Sequence, residues 1–124
     1  MEARELRIGN IIEMTYLPNG KVFIPINSYQ INQLNDKEKG CRVAEYYDSF
    51  RPIPITEEWL IKFGGNCVMV EGCPIYYVNP FDIEYYENES VLIIGNSSVK
   101  LKYVHQLQNL YFALTGEEIT LINQ

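Results

Sequence analysis

The sequence predicts an α+β fold, in which a strand-rich N-terminal lobe precedes a short linking helix, an antiparallel meander and one main C-terminal helix packed on the sheet. Two observations support this prediction. Residues 103–118 carry apolar side chains at offsets of three and four, as an amphipathic helix does. Between residues 68 and 94, short apolar runs are separated at even spacing by turn residues, a pattern typical of a meander.

The N-terminal lobe begins with alternating residues. Leu6 and Ile8 alternate with polar neighbours, and the alternation resumes after Gly9 and its asparagine neighbour, which predicts a strand pair or one strand with a bulge at the glycine. The Pro-Asn-Gly sequence at 18–20 predicts a tight hairpin turn. A short return strand should follow, and Pro25 should end it or confine it to a sheet edge.

The next segment predicts further short strands. Tyr29 and Ile31 suggest a third strand, although a helical turn is an alternative at this position. Residues 36–40 form a charged turn, and residues 41–45 alternate as another candidate strand. Several short strands joined by turns favour a small barrel or a curled sheet for this lobe.

The second half of the chain contains stronger local signals. Two prolines in residues 51–55 require an extended backbone. Thr56 should cap a short helix over 56–63, whose Trp59 we expect in the core. The meander should end in a strand that runs into the main helix, and Gly116 should end that helix by taking a left-handed conformation.

Length and composition predict one cytoplasmic domain. The 124 residues fit a single domain over 1–124, with the strand-rich lobe at about 1–50 and the remainder at about 51–124. The sequence contains no apolar run near the length that spans a bilayer, and its first twenty residues lack the layout of a signal peptide. The lack of such a run predicts no membrane association. Cys41, Cys67 and Cys73 form no Cys-x-x-Cys unit and cannot all pair, so we expect a reducing compartment.

The charge distribution makes nucleic acid an unfavoured partner. The net charge is −6, and residues 63–99 contain five acidic side chains but no lysine or arginine. A protein that binds a nucleic-acid duplex needs clustered cations to displace phosphate counterions. The acidic stretch instead indicates a solvated strand face.

Candidate catalytic and metal-binding residues lack the required neighbours. His105 is the only histidine, and its own helix supplies amides rather than an orienting carboxylate. Cys67 and Cys73 are separated by five residues, too many for a zinc knuckle. Asp82 and Glu84 share one strand face, but the sequence shows no further spaced oxygen ligands. Because phosphate-loop, dinucleotide and nucleophile-elbow motifs are also absent, we predict a protein without enzymatic activity, cofactor or metal.

Two features point to protein contacts. The main helix has a second face that carries no formal charge, which indicates either that the same chain covers both faces or that this face docks another chain. Tyrosine doublets on the strands should place one ring inside and one outside, although tyrosine also simply suits strands. The candidate interaction residues are His105, Gln108, Asn109, Phe112, Tyr47, Tyr77 and Tyr86.

Two functions follow as hypotheses. The first is a non-enzymatic protein-interaction module that forms a homodimer or binds a partner through these residues. The alternative is a regulatory or single-stranded nucleic-acid binder that uses the N-terminal lobe. Its cations would be Arg4, Arg7, Lys21, Lys37, Lys39 and Arg42.

Three blocks carry a resemblance to a known group of proteins. They are residues 5–10 (ELRIGN), 54–64 (PITEEWLIKFG) and 103–118 (YVHQLQNLYFALTGEE), and together they cover about a quarter of the chain. In these blocks the chain resembles small proteins of uncharacterised function that are encoded by gut-type bacteria and by their phages or prophages. The resemblance implies a cytoplasmic protein of phage or mobile-element origin, and it carries no activity, substrate or site residue.

Overall fold

A computed structural model describes residues 6–16, 20–28, 30–32 and 49–122. The helices and strands in these ranges confirm the α+β class. In chain order they are β1 (Ile11–Tyr16), β2 (Gly20–Pro25), β3 (Ser49–Arg51), α1 (Glu57–Lys62), β4 (Asn66–Val70), β5 (Cys73–Val78), β6 (Phe81–Tyr86), β7 (Glu89–Ile94), β8 (Ser97–Leu101) and α2 (Val104–Thr115).

The chain forms two compact units, of which the first combines Met1–Ile53 with Val104–Asn109. Its sheet has the antiparallel order β2-β1-β3, and its core gathers Leu6, Ile12 and Ile26. As predicted, β2 lies at a sheet edge, where the missing N–H of Pro25 costs no ladder hydrogen bond. In the described ranges this sheet is open, so the barrel alternative is wrong there.

Two predictions for the first unit are wrong. Residues 6–10 are not a strand, because the backbone turns at Ile8 and Gly9, and the N–H of Asn10 donates to the carbonyl of Arg7 at 3.0 Å. Residues 28 and 30–32 are helical, so the strand suggested there is wrong and the alternative of a helical turn is confirmed.

The sequence contains the physical reason for this helical turn. The N–H of Gln30 donates to Oδ1 of Asn27 at 2.9 Å, and the N–H of Asn27 donates to Oε1 of Gln30 at 3.0 Å. This reciprocal pair is a capping box, which satisfies two backbone donors that a helix start otherwise leaves without partners. The predicted turns at 18–20 and 36–40 and the predicted strand at 41–45 fall partly or wholly outside the described residues.

Helix α1 begins as predicted. The hydroxyl of Thr56 accepts a hydrogen bond from the N–H of Trp59 at 3.4 Å, and two glutamates occupy the first turn, where the positive end of the helix dipole favours them. Trp59 and Leu60 are buried, and Nζ of Lys62 lies 4.7 Å from the centre of the Trp59 ring. Gly64 follows the helix with a φ of +87°, which only glycine adopts readily.

The second unit combines Pro54–Tyr103 with Leu110–Gln124 and contains the predicted meander. Its five strands pair antiparallel in chain order from β4 to β8. Directly opposed residues share a face of the sheet. One face is buried, and its central row joins Tyr76, Ile83 and Leu92.

Helix α2 is shorter than the predicted 103–118, but it ends where expected. Gly116 has a φ of +76°, and its N–H donates to the carbonyl of Phe112 at 2.8 Å. Residues of α2 up to Asn109 belong to the first unit and later residues to the second. The prediction of a single domain stays a prediction. Among the described residues, no helix has the length and apolar character needed to span a bilayer.

Candidate interaction surface

The face of α2 without formal charge begins with His105 and Gln108, and both side chains are buried within the first unit. Gln108 is only 4% exposed. Its Oε1 accepts a hydrogen bond from the N–H of Ile11 at 2.7 Å, and its Nε2 donates to the carbonyl of Gly9 at 3.3 Å. His105 is buried as well. Because buried side chains are not offered to a partner, the assignment of His105 and Gln108 as interaction residues is corrected.

Asn109 extends this connection to the turn before β1. Its Oδ1 accepts hydrogen bonds from Nε of Arg7 at 2.7 Å and from Nδ2 of Asn10 at 2.9 Å. The guanidinium of Arg7 also donates to the carbonyl of Gln108 at 3.1 Å. The side-chain amides of Gln108 and Asn109 therefore bind residues 7–11 of the same chain.

This arrangement also bears on the nucleic-acid alternative. Arg7 is the one cation of that hypothesis whose side chain the structure describes. Its guanidinium hydrogen-bonds to α2, so it serves the fold of the first unit. The other five cations fall outside the described side chains, and their role stays a prediction.

The second half of α2 has a more exposed side. Phe112 is 41% exposed and stays a candidate interaction residue. Its neighbour Tyr111 turns the other way, packing edge-on against Phe81 at 5.8 Å between ring centres and donating its hydroxyl to the carbonyl of Asn79 at 2.9 Å. The C-terminal half of α2 therefore contacts the meander through Tyr111.

The five-stranded sheet presents its second face to solvent. The predicted alternation of the tyrosine doublet at 76–77 is confirmed, because Tyr76 is buried while Tyr77 is 45% exposed. In the doublet at 85–86, Tyr85 is half-buried and Tyr86 is 59% exposed. Tyr47 lies outside the described residues. We call the side of the sheet that carries Tyr77 and Tyr86 the outer face.

The outer face is apolar along much of its area and acidic among its charges. The strand register places five aliphatic side chains on it, of which those on β4 are the most exposed. They are Val68, Val70, Ile75, Val91 and Ile93. The charged members are Asp82, Glu84, Glu89 and Lys100, and Lys100 lies 4.0 Å from the Glu89 carboxylate. As predicted, Asp82 and Glu84 share one face.

The two described cysteines lie on opposite faces of the sheet. Cys73 opposes Val70 on the outer face, whereas Cys67 opposes Tyr76 on the inner one, so the two thiols cannot bind one metal ion. Burial and the Glu84 carboxylate, 3.2 Å away, raise the pKa of the Cys73 thiol. No group of three metal-ligating side chains is found in the described ranges.

Tyr76 has an altered acidity inside the second unit. Burial, the Glu57 carboxylate and the Cys67 thiol raise its pKa to about 12. A phenol with so high a pKa stays protonated at neutral pH, so it acts as a hydrogen-bond donor and not as a base.

A shallow cleft of about 300 Å³ lies beside the end of α2 in the second unit. Its lining includes the apolar side chains of Phe63 and Val78, the ring of Tyr111, and the acidic residues Glu117 and Glu118. The volume is at the lower end of the range for small-molecule sites, which usually bury a ligand among convergent polar groups. Sequence reasoning did not find this cleft, because it depends on how the segment after Gly116 returns over α1.

Comparison of the chain with family models, with curated proteins and with solved structures finds no match.

Proposed function

We propose that this chain is a non-enzymatic protein-interaction module of the cytoplasm, which binds a partner protein through its outer face. The observation that carries the proposal is the exposure of Tyr77 and Tyr86 on a face that also exposes Val68 and Val70. Contiguous exposed apolar surface is uncommon on soluble domains and marks contact sites when polar residues surround it.

The residue types on the outer face support this function. An antiparallel sheet with one buried face normally carries polar side chains on the other. Here Ile75 and Val91 occupy outward positions that flank Glu84, so apolar and acidic residues alternate across the strands. Tyrosine provides a large contact area with a polar end and is enriched among the residues that dominate binding energy.

The charges indicate the chemistry of the partner. Asp82 and Glu84 lie on the outer face without a basic side chain directly opposite them, and Lys100 lies nearest to Glu89. Complementary potentials guide association and exclude partners of the wrong charge. The proposed partner therefore offers an apolar patch with lysine or arginine at its border. The resemblance of the three sequence blocks supports a phage or mobile-element origin for the module.

Matched aromatic variants test the proposal. Wild type, the double variant Tyr77→Ala/Tyr86→Ala and the control Phe112→Ala are immobilised and used to capture proteins from a lysate of the cells that encode the chain. Phe112 is a suitable control because its exposure is close to that of Tyr77 while it lies on the helix. The most enriched protein is then purified and titrated against all three variants.

The double variant should bind this partner more weakly, whereas Phe112→Ala should bind as wild type does. Each central aromatic residue contributes about 2 kcal/mol, which corresponds to a roughly thirtyfold higher Kd. Circular dichroism checks that each variant is folded. Loss of binding in Phe112→Ala alone would show that the partner contacts α2. Equal Kd values for wild type and both variants would show that the partner does not bind the outer face through these tyrosines.

A further inference from the structure

Strand β4 forms one edge of the five-stranded sheet. It pairs with β5 on one side, and no described strand pairs with it on the other. All five of its residues are exposed, including Val68 at 58%. Lysine, proline and bulges commonly protect an edge, but the β4 sequence NCVMV has no lysine or proline and pairs with β5 without a bulge. The edge therefore has room and backbone groups for a further strand.

The register of β4 shows which of its backbone groups face the open side. Residues of an antiparallel strand direct their hydrogen bonds alternately to one side and to the other. The two-residue turn after Val70 closes on the pair of Val70 and Cys73, and this closing pair is hydrogen-bonded. Met69 opposes Pro74, which has no N–H to donate, so the alternation is consistent. The N–H and C=O groups of Cys67 and Met69 therefore point away from β5.

The charges along this edge are acidic. Residues 63–99 contain five acidic side chains and no lysine or arginine. Glu71 directly follows β4 and is exposed. Lys62, the nearest preceding cation in the sequence, pairs with Glu58 at 3.4 Å. A second copy would bring its own net charge of −6 to this edge, whereas a basic strand would be attracted by it.

A further carboxylate lies on the inner side of the edge. Cys67 directly opposes Tyr76. Burial, the Glu57 carboxylate and the Cys67 thiol raise the pKa of Tyr76, so the carboxylate and the thiol both lie beside its hydroxyl. Glu57 itself is exposed on α1. A side chain opposite Cys67 on an added strand would have its Cβ about 5 Å from that of Cys67, so a lysine or arginine there can reach Glu57.

We propose that β4 binds an extended, basic segment of a partner protein as a sixth, antiparallel strand of the sheet. In this arrangement a lysine or arginine lies opposite Cys67, and an apolar side chain lies opposite Val68. Backbone hydrogen bonds provide the affinity of such a complex, and the alternating side chains provide its specificity. The proposal goes beyond the proposed function, because it uses the β4 backbone and neither Tyr77 nor Tyr86.

A defined peptide tests the proposal on the full chain. The peptide acetyl-Thr-Val-Lys-Val-Lys-Val-Thr-amide places both lysines on one face of a strand and the valines on the other. When the lysines oppose Cys67 and Met69, the lysine N–H groups donate to β4 and the valine N–H groups point to solvent. Two matched peptides carry two N-methyl groups each, one on both lysines and the other on two of the valines.

Binding is followed by an NMR titration of the isotope-labelled chain. The unmodified and the valine-methylated peptides should shift the amides of Cys67 and Met69, and the lysine-methylated peptide should bind at least about tenfold more weakly. Glu57→Gln should weaken binding of the unmodified peptide about threefold. The control Glu89→Gln changes the net charge equally but lies three strands away from β4, so it should leave the Kd unchanged. Circular dichroism checks that both variants are folded.

Absence of binding at about 1 mM peptide overturns the proposal. Lysine-methylated peptide that binds as well as the valine-methylated one, or equal Kd values for Glu57→Gln and Glu89→Gln, overturns it too. If Tyr77→Ala/Tyr86→Ala abolishes binding, the peptide occupies the outer face, which contradicts the β4 contact and leaves the proposed function standing. If sedimentation equilibrium shows that the free chain dimerises and that the peptide dissociates the dimer, β4 binds a second copy and the proposal is wrong.

Discussion

Replacement of Gln108 tests whether the second face of α2 belongs to the protein interior. The side chain is buried and joins α2 to the turn before β1 through hydrogen bonds to Ile11 and Gly9. Two substitutions separate hydrogen bonding from packing. Gln108→Met keeps most of the volume and removes both hydrogen bonds, whereas Gln108→Ala removes the volume as well.

The structure provides an estimate of the effect. Without Oε1 of Gln108, the buried N–H of Ile11 loses its partner, which costs about 1–3 kcal/mol. Gly9 is exposed, so water can replace the bond that its carbonyl accepts. Loss of buried methylene groups in Gln108→Ala adds about 0.8 kcal/mol for each group. For a chain of this length, about 1 kcal/mol corresponds to roughly 4 °C in Tm, so Gln108→Ala should melt on the order of 10 °C lower.

Thermal unfolding followed by circular dichroism measures the stability, and amide hydrogen exchange reports on the contact itself. The Ile11 amide should exchange at least about tenfold faster in Gln108→Met, since 1.4 kcal/mol corresponds to a factor of ten. Leu114→Ala is the control, because Leu114 lies exposed on the same helix. If Gln108→Met has the same Tm as wild type and its Ile11 amide exchanges at the wild-type rate, then the hydrogen bonds of Gln108 do not stabilise the first unit.

Three further predictions concern single side chains. Leu107→Ala should lower the free energy of unfolding in urea by about 2–5 kcal/mol, because Leu107 is buried. Phe112→Ala should lower it by less than about 1 kcal/mol, because Phe112 is partly exposed. A larger loss for Phe112→Ala than for Leu107→Ala would contradict the burial of Leu107. Glu84→Gln should lower the pKa of Cys73 and accelerate its alkylation at mildly alkaline pH, which peptide mass mapping measures; an unchanged rate would exclude the Glu84 contact. The raised pKa of Tyr76 means that the folded state keeps this proton, so its contribution to stability is complete below pH 10 and is lost as the pH rises towards 12. Tyr76→Phe should remove this loss from the alkaline unfolding profile, and an unaltered profile would assign it to other groups.

The second half of the fold could be predicted because its signals are local. Turn residues stand at each break of the meander, Thr56 caps α1, and Gly116 ends α2. The N-terminal segment could not be predicted in the same way. The alternation of Leu6 and Ile8 resembles a strand, but Arg7 hydrogen-bonds to a residue 102 positions away, and no sequence spacing displays such a contact. Tertiary contacts override local preference in such cases.

The same distinction between local signals and tertiary contacts applies to the candidate interaction residues. Strand alternation predicted that Tyr77 faces outward, because it depends only on neighbouring residues. Which face of α2 is covered depends on the turn at Gly9, so the sequence left two interpretations open for Gln108 and Asn109. The structure favours cover by the same chain for both. At Tyr29 and Ile31 the alternation suggested a strand and left a helical turn as the alternative, and the capping box between Asn27 and Gln30 favours the helical turn.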